Sequence, residues 1–436
     1  MIRTLLAATA MTTIATAALA EPTKITWWHA MGGALGERVQ AIVDDFNAAQ
    51  DEVEVEAVYK GNYSETMTGA IAAFRAGEAP NIVQVFEVGT ATMMSAEGAI
   101  EPAYKIMAEY GADWDPAKYL PAITGYYQDV DGNMLSMPFN SSTPVLYYNK
   151  EIFEAAGLDA DKAPKTWDEL AEAAKAIQAA GAAECGFTTG WQSWVQLENF
   201  SAWHNVPFAS NENGFAGAEG TELNITSPLH VRHISNMADW QKDKIFDYGG
   251  RRSDSASKFY AGDCAMYMNS SAALAGVRAN TDFDFGVSML PYYDDVEGAP
   301  QNSIIGGATL WTFGGKDAAE YEAVAQFYDY LYSPAVQAEW HQGTGYLPIT
   351  FAAYELSKEQ GYYENDPRAE VSILQMTGKA PTANSKGLRL GNFLQVRDVI
   401  NEELEAVWAG DKTAEEALAD AKTRSDDLLN QFAQID

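Results

Sequence analysis

The chain alternates short apolar runs with amphipathic stretches, and their order predicts the architecture. Ile25-Thr26-Trp27-Trp28-His29 reads as a first strand, and Gly32-Gly33 releases it into a helix whose apolar residues Leu35, Val39, Ile42, Val43 and Phe46 recur at helical spacing. Asn47 to Asp51 end that helix. Val53 to Tyr59 is a second strand, Gly61 to Glu65 opens a second helix carrying Met67, Ile71 and Phe74, and Gly77 with Pro80 stops it. Asn81 to Val88 is then an apolar run, as expected of a parallel strand buried on both faces. Strand, helix, strand, helix, strand is the doubly wound α/β pattern, in which ligands bind beyond the carboxyl ends of the strands. His29, Tyr63 and Glu87 fall at or near those ends.

Further on, Pro138 to Lys150 sets a Ser/Thr turn before the short apolar strand Val145 to Tyr148, with prolines restricting the backbone. This predicts a crossing from one lobe to another. Glu151 to Ala156 is a short helix closed by Gly157, and Thr166 is the N-cap of a longer one, Trp167 to Ala180, with Asp168 and Glu169 at its positive end. Trp191 and Trp194 either face a ligand or pack. Asn269-Ser270-Ser271, just before the helix-like Ala272 to Arg278, is expected to leave backbone N–H groups directed at a ligand. Ser303 to Trp311 reads as strand, glycine pair, strand, and as the return crossing. Helices follow at Asp317 to Tyr332 and Pro334 to His341, Tyr346-Leu347-Pro348 crosses again, and an acidic helical tail ends on the second lobe. Three crossings imply a hinge. The expected lobes are 21–141 with 304–348, and 142–303 with 349–436.

A chain of 436 residues is too long for one compact core, which agrees with two lobes. Residues 1–20 have a basic start, an apolar middle and Ala18-Leu19-Ala20 before Glu21, the pattern of a cleaved secretory signal too short for an anchor. No Cys lies near that site and no later stretch is apolar enough to span a bilayer, so the expected location is the periplasm. In that oxidising compartment Cys185 and Cys264 form one disulfide or remain two buried thiols. The formal charge of −33 argues against nucleic acid and anionic membranes as partners. It does not exclude a small anion, because distant carboxylates are screened beyond roughly 10 Å.

Glu87 ends a buried apolar strand, where a carboxylate is costly unless it meets donors. It either accepts from ligand hydroxyls or caps the next helix near Thr90. Gln128 to Met134 reads as a hairpin turning at Asp131-Gly132, and its spacing lacks the further ligands of a calcium loop. His230 and His233, three apart with no third ligand, read as surface histidines rather than a metal site. Neither a Gly-x-Ser-x-Gly elbow nor a phosphate-binding Gly-Lys-Ser/Thr loop occurs.

Tyr148-Asn149-Lys150, Phe153, Ala156-Gly157-Leu158, Pro164 and Thr166-Trp167 carry a resemblance that extends over nearly all of the chain after residue 20. Further phrases are Tyr59 to Tyr63, Gln84 to Thr90, Pro138 to Tyr148, Gly343 to Pro348 and Lys386 to Asn392. The chain resembles the extracellular solute-binding proteins of ATP-binding cassette importers that take up sugars and related polyols. The resemblance implies a two-lobed, hinged, monomeric binding protein that delivers sn-glycerol-3-phosphate to the permease and ATPase subunits of an importer, with no cofactor, metal or catalytic step. It also implies ligand contacts at Tyr63, Glu87, Ser142, Ser270, Gly307, Tyr346 and Arg397. Trp191 supplies an apolar wall for the glycerol end, and the Arg397 fork, an unhindered glycine N–H and hydroxyls suit a phosphate monoester. Singly, each has a plainer reading: a cap for Ser270, a turn for Gly307, packing for Tyr346, a surface ion pair for Arg397. Ala272-Ala273 stand where a further hydroxyl is expected, which leaves glycerophosphodiesters such as glycerophosphocholine as an alternative ligand. An uncharged oligosaccharide is another, and a secreted hydrolase with paired carboxylates is the alternative of a different class.

Overall fold

A computed structural model describes residues 21–96 and 98–434; the signal-like segment lies outside the described residues. Among the described residues, ten strands form two sheets. They are β1 (Thr23–His29), β2 (Val53–Tyr59), β3 (Ile82–Phe86), β4 (Ile100–Glu101), β5 (Met137–Ser142), β6 (Pro144–Asn149), β7 (Cys185–Thr189), β8 (Cys264–Ser270), β9 (Phe285–Ser288) and β10 (Gly306–Phe313).

The first sheet has the order β2-β1-β3-β10-β4, with β5 also paired to β10. β1 runs parallel to β2 and β3, and β10 runs antiparallel to β3, β4 and β5. The local signals responsible are those of the sequence: Ile25, Trp27 and His29 alternate inward along β1, and β3 is buried on both faces. The helix Tyr63–Ala76 starts on a capping box between Asn62 and Glu65 and ends on Gly77 in the left-handed region. β3 stops at Phe86, and Glu87–Gly89 form a single 3₁₀ turn, so the expected strand ends two residues early.

The second sheet, β7-β8-β6-β9, is of mixed direction. Only β7 and β8 are parallel; β6 runs antiparallel to both β8 and β9. Cys185 and Cys264 are registered opposite each other on that parallel pair and are joined as a disulfide. The helix Trp167–Ala179, begun by a Thr166–Glu169 capping box, packs on β7.

The segments around Thr143, Ser303 and Leu347 are tied together by polar contacts. Thr143, between β5 and β6, donates to Ser303 Oγ at 2.5 Å, and Gln375 Nε2 donates to Ser303 Oγ at 2.9 Å and to the Pro144 carbonyl at 2.7 Å. Leu347 N–H donates to the Ser141 carbonyl at 2.7 Å. Ser303 to Ile305 were expected as strand but extend no ladder, because their polar groups go to Thr143, Gln375 and Asn199 instead. Further along the chain, the helices Phe393–Ala409 and Ala414–Ala433 pack on each other, and one apolar cluster joins Val85 and Phe86 of β3 to Leu197, Phe393 and Val396.

The histidines require a correction. His230 and His233 are not on the surface but fully buried, on the inner face of the helix Pro228–Lys242. His233 stacks on Phe200 and bonds Gln196 Oε1 at 3.0 Å, while His230 lies between the hydroxyls of Ser201 and Ser227. Both are core residues with satisfied ring nitrogens.

Candidate functional site

The carboxyl end of β3, the glycine start of β10, the β5 terminus and the π-helical turn Trp194–Asn199 converge on a cavity of about 220 Å³. All eight residues singled out from the sequence line it: Tyr63, Glu87, Ser142, Trp191, Ser270, Gly307, Tyr346 and Arg397. They come from widely separated parts of the chain, and the fold brings them together.

At its centre is a buried charge cluster. Glu87, carried just past β3, accepts from Arg397 Nη2 at 2.7 Å through one oxygen and from the Gly307 N–H at 3.1 Å through the other. Its carboxylate therefore acts across the cleft and not as a cap for the helix at Thr90, which has no side-chain cap. Arg397 also donates through Nε and Nη2 to the two oxygens of Glu198, at 2.7 and 2.6 Å. The forked edge of the guanidinium thus faces a second carboxylate, and among the described residues Nη1 has no hydrogen-bond partner. Relative exposures of 5, 1 and 7 % for Glu87, Glu198 and Arg397 make this a desolvated triad with one negative charge in excess. Burial, with Glu198 adding to it and Arg397 opposing, raises the Glu87 pKa above its ordinary value. For Arg397, burial pulls the other way, and the two carboxylates overcome it to hold the guanidinium charged.

Gly307 has φ +116°, and a Cβ there would lie 2.1 Å from the Asn140 carbonyl oxygen. Only glycine permits this approach of β10 to β5, which also presents the Gly307 N–H to Glu87. Tyr63 stacks on Phe86 and accepts from Asn140 Nδ2 at 2.9 Å. Tyr346 stacks on Trp340, and the backbone beside it is pinned to β5. Burial raises the pKa of both phenols, which keeps them as neutral hydroxyls.

Ser270 keeps both readings in part. It lines the cavity, but its hydroxyl oxygen caps the following turn by accepting from Ala272 N–H at 3.1 Å. The expectation that backbone N–H groups here point at a ligand fails. Ser270 N–H goes to Asn269 Oδ1, Ser271 N–H to the Thr143 carbonyl and Ala272 N–H to Ser270 itself.

Trp191 holds a positive φ of 47°, an uncommon state for a bulky residue, and lies just before the π-helical turn. Both features are over-represented where side chains are aimed at ligands. Trp194 also faces the cavity, with its indole N–H buried and unpartnered among the described residues, and Gly306 leaves room for its ring. Beyond these tryptophans and Arg397 lies a second chamber of about 270 Å³ that includes Arg252, Asp254, Asp398 and Asn401. Glu198 was not among the sequence candidates. Its signal was present, since it is the only Asp, Glu, Lys or Arg between Glu184 and Glu212.

The profile of the family described as bacterial extracellular solute-binding protein matches residues 41–371. The sn-glycerol-3-phosphate-binding periplasmic protein UgpB of Yersinia pseudotuberculosis is 52% identical over 413 residues, covering 94% of this chain and 93% of its own. The protein of the same name from Salmonella typhimurium is 50% identical over 411 residues, with the same coverage of 94% and 93%. Among solved structures, UgpB from Mycobacterium tuberculosis in complex with glycerophosphocholine superimposes with a TM-score of 0.78 at 22% identity, over 94% of this chain and 98% of that one. Maltose-bound MalE3 of T. maritima gives 0.76 at 23%, over 93% and 100%. These two likenesses concern the fold.

Proposed function

The chain belongs to the bacterial extracellular solute-binding proteins, and from that premise we propose that it binds sn-glycerol-3-phosphate between its lobes and delivers it to the membrane permease of an ATP-binding cassette importer. The ligand follows the name borne by relatives that are half identical over nearly the whole chain. The observation that carries it structurally is the cavity's chemistry: a buried Arg397–Glu87 pair ringed by hydroxyls, in a volume near 220 Å³ that suits a three-carbon ester better than an oligosaccharide.

In this reading the phosphate lies against Arg397 Nη1 and the hydroxyls of Ser142, Ser270 and Tyr346. The glycerol hydroxyls meet Glu87 and Tyr63, with Trp191 as wall. The lobes 21–141 with 304–348 and 142–303 with 349–436 close on the ligand about the Thr143, Ser303 and Gln375 cluster, and closure gives the permease one face to read. No covalent step is involved, and the protein acts in the periplasm after loss of residues 1–20.

The chamber beyond Trp191 and Trp194 favours a second reading, in which a glycerophosphodiester places its second ester group there and an aromatic face meets a quaternary ammonium. Calorimetric titration of the chain from Glu21 separates the possibilities. Saturable one-to-one heat with glycerol-3-phosphate and none with maltose is the expected result. Binding of maltose, with silence from both phosphate esters, overturns the reading.

A further inference from the structure

The triad at the floor of the cavity holds one carboxylate more than its arginine can neutralise. Glu198 occupies the π-helical turn Trp194–Asn199 and is fixed from two sides, by Arg397 and by the Ser193 hydroxyl, which donates to Oε1 at 3.0 Å. It is almost wholly covered, so no part of it meets a small ligand directly. Its effects are therefore geometric and electrostatic. It takes the Nε–Nη2 edge of Arg397, turning Nη1 as the free donor, and it cancels the positive charge that would otherwise favour a dianion.

Beyond Arg397 the second chamber carries Arg251, Arg252, Asp254 and Asp398, two charges of each sign, so it adds no net charge to the triad. Arg397 and Glu87 meet Glu198 directly or through the arginine, Tyr126 of the helix Pro121–Tyr127 stands close to all three, Tyr127 of the same helix faces Glu87, and Tyr63 and Tyr346 flank Glu87. None of these phenols supplies a compensating charge. A doubly charged phosphate monoester entering this surrounding meets a net repulsion in a low-dielectric site, whereas a singly charged phosphate meets much less.

We propose that Glu198 is the positioning and charge-selecting residue of the pocket: it orients Arg397 and makes the site take its phosphate ester with one negative charge fewer than the free dianion carries. The missing charge is a proton, bound with glycerol-3-phosphate at neutral pH and resting on the phosphate. A phosphodiester, which carries one charge at every pH of interest, needs no such proton. This inference rests on the phosphate-ester reading above.

Titrations with glycerol-3-phosphate and glycerophosphocholine at pH 5.5 and 8.0 test it, in wild type, Glu198→Gln and Glu198→Asp. The second ionisation of a phosphate monoester lies at about 6, so wild-type affinity for glycerol-3-phosphate is expected to fall at least tenfold over that range, one pKa unit corresponding to about tenfold. Affinity for glycerophosphocholine stays within about twofold in the same comparison. In Glu198→Gln the fall shrinks and the preference moves toward glycerol-3-phosphate. Glu198→Asp weakens both esters by displacing Arg397 but keeps the fall. Calorimetry of wild type in two buffers of different ionisation heat at pH 8.0 adds a readout free of mutation. Uptake of close to one proton per glycerol-3-phosphate and none per glycerophosphocholine supports the inference, and zero uptake with both overturns it. An equal fall in wild type and Glu198→Gln overturns the role of Glu198 alone. Failure of wild type to bind either ester at both pH values overturns the functional reading and the inference with it.

Discussion

Glu87 and Arg397 meet at 2.7 Å across the cleft, 310 residues apart in sequence, one on the turn after β3 and the other on the helix Phe393–Ala409. With both side chains under 10 % exposed, the pair is a desolvated contact whose attraction offsets two large hydration losses. It joins the first sheet to the C-terminal helices at the spot where the ligand is proposed to sit, so ligand affinity and fold stability depend on the same atoms.

Replacing Arg397 by Ala is therefore expected to act twice. Affinity for glycerol-3-phosphate falls at least hundredfold, about 3 kcal/mol, through loss of a charge-assisted donor. Two buried carboxylates also lose their partner, which destabilises the ligand-free protein by roughly 3–5 kcal/mol. Arg397→Lys keeps the charge but not the fork, and should recover stability more than affinity. Calorimetry and urea unfolding on both variants check this; unchanged affinity in Arg397→Ala sinks the phosphate role.

Gly307→Ala tests the backbone side of the same cluster. A methyl group would collide with the Asn140 carbonyl at 2.1 Å and the residue would have to keep φ near +116°. Either β10 shifts away from β5 or the strain is absorbed, at a cost of order 1–3 kcal/mol. Because the Gly307 N–H holds Glu87, the shift should also weaken ligand binding, whereas Gly315→Ala, remote from the cavity and with an open position at its Cβ, should leave Kd unchanged.

Strands β1 to β3 of the first sheet were legible because their signals are local: short apolar runs, the helical spacing from Leu35 to Phe46 between them, and Gly77 with Pro80 as a stop. The antiparallel pairing of β6 with β8 and β9 was not, since strand partners separated by over a hundred residues leave no mark in the spacing of either. The site divides in the same way. The positions of Tyr63, Glu87 and Gly307 follow from strand ends and glycines, but what each one bonds does not. That Arg397 presents its fork to Glu198, and that the N–H groups at Ser270 to Ala272 are already taken, are facts of tertiary packing. His230 and His233 misled for the same reason: their aromatic and hydroxyl partners lie on another helix.

The disulfide between Cys185 and Cys264 closes a loop with a sequence separation of 79 residues on the second sheet, away from the cavity lining. In the chain-entropy picture a loop of this size contributes about 4.5 kcal/mol. The double Cys→Ser variant, or the reduced protein, should lose several degrees in Tm while keeping its Kd for the ester within about twofold, because the strand pairing of β7 with β8 persists without the bond. A large loss of affinity at retained fold would show that the disulfide holds the cavity open or shaped.

Acid sensitivity should come from the histidines rather than from the abundant surface carboxylates. All five are buried, and burial lowers His29, His204 and His341 to about 4, His230 to about 3, and His233 well below its ordinary value. In the unfolded chain each takes up a proton near 6.5, so below that value the unfolded state binds more protons than the folded one. Stability is then complete above pH 6.5 and drains as pH falls toward 4, by about 1.5 kcal/mol per buried histidine between pH 6.5 and 5. Glu87 works the other way: its raised pKa makes the folded state bind the extra proton, so its contribution is present at low pH and lost as pH rises above the ordinary carboxylate range. The expected curve of unfolding free energy against pH therefore rises steeply to about 6.5. His230→Gln, which keeps hydrogen-bonding capacity between Ser201 and Ser227, should flatten that rise by close to one proton, and Glu87→Gln should leave the rise intact. A wild-type curve already flat between pH 5 and 6.5 would mean that the buried imidazoles are protonated in the folded protein, which their neutral packing against Phe200 and each other opposes.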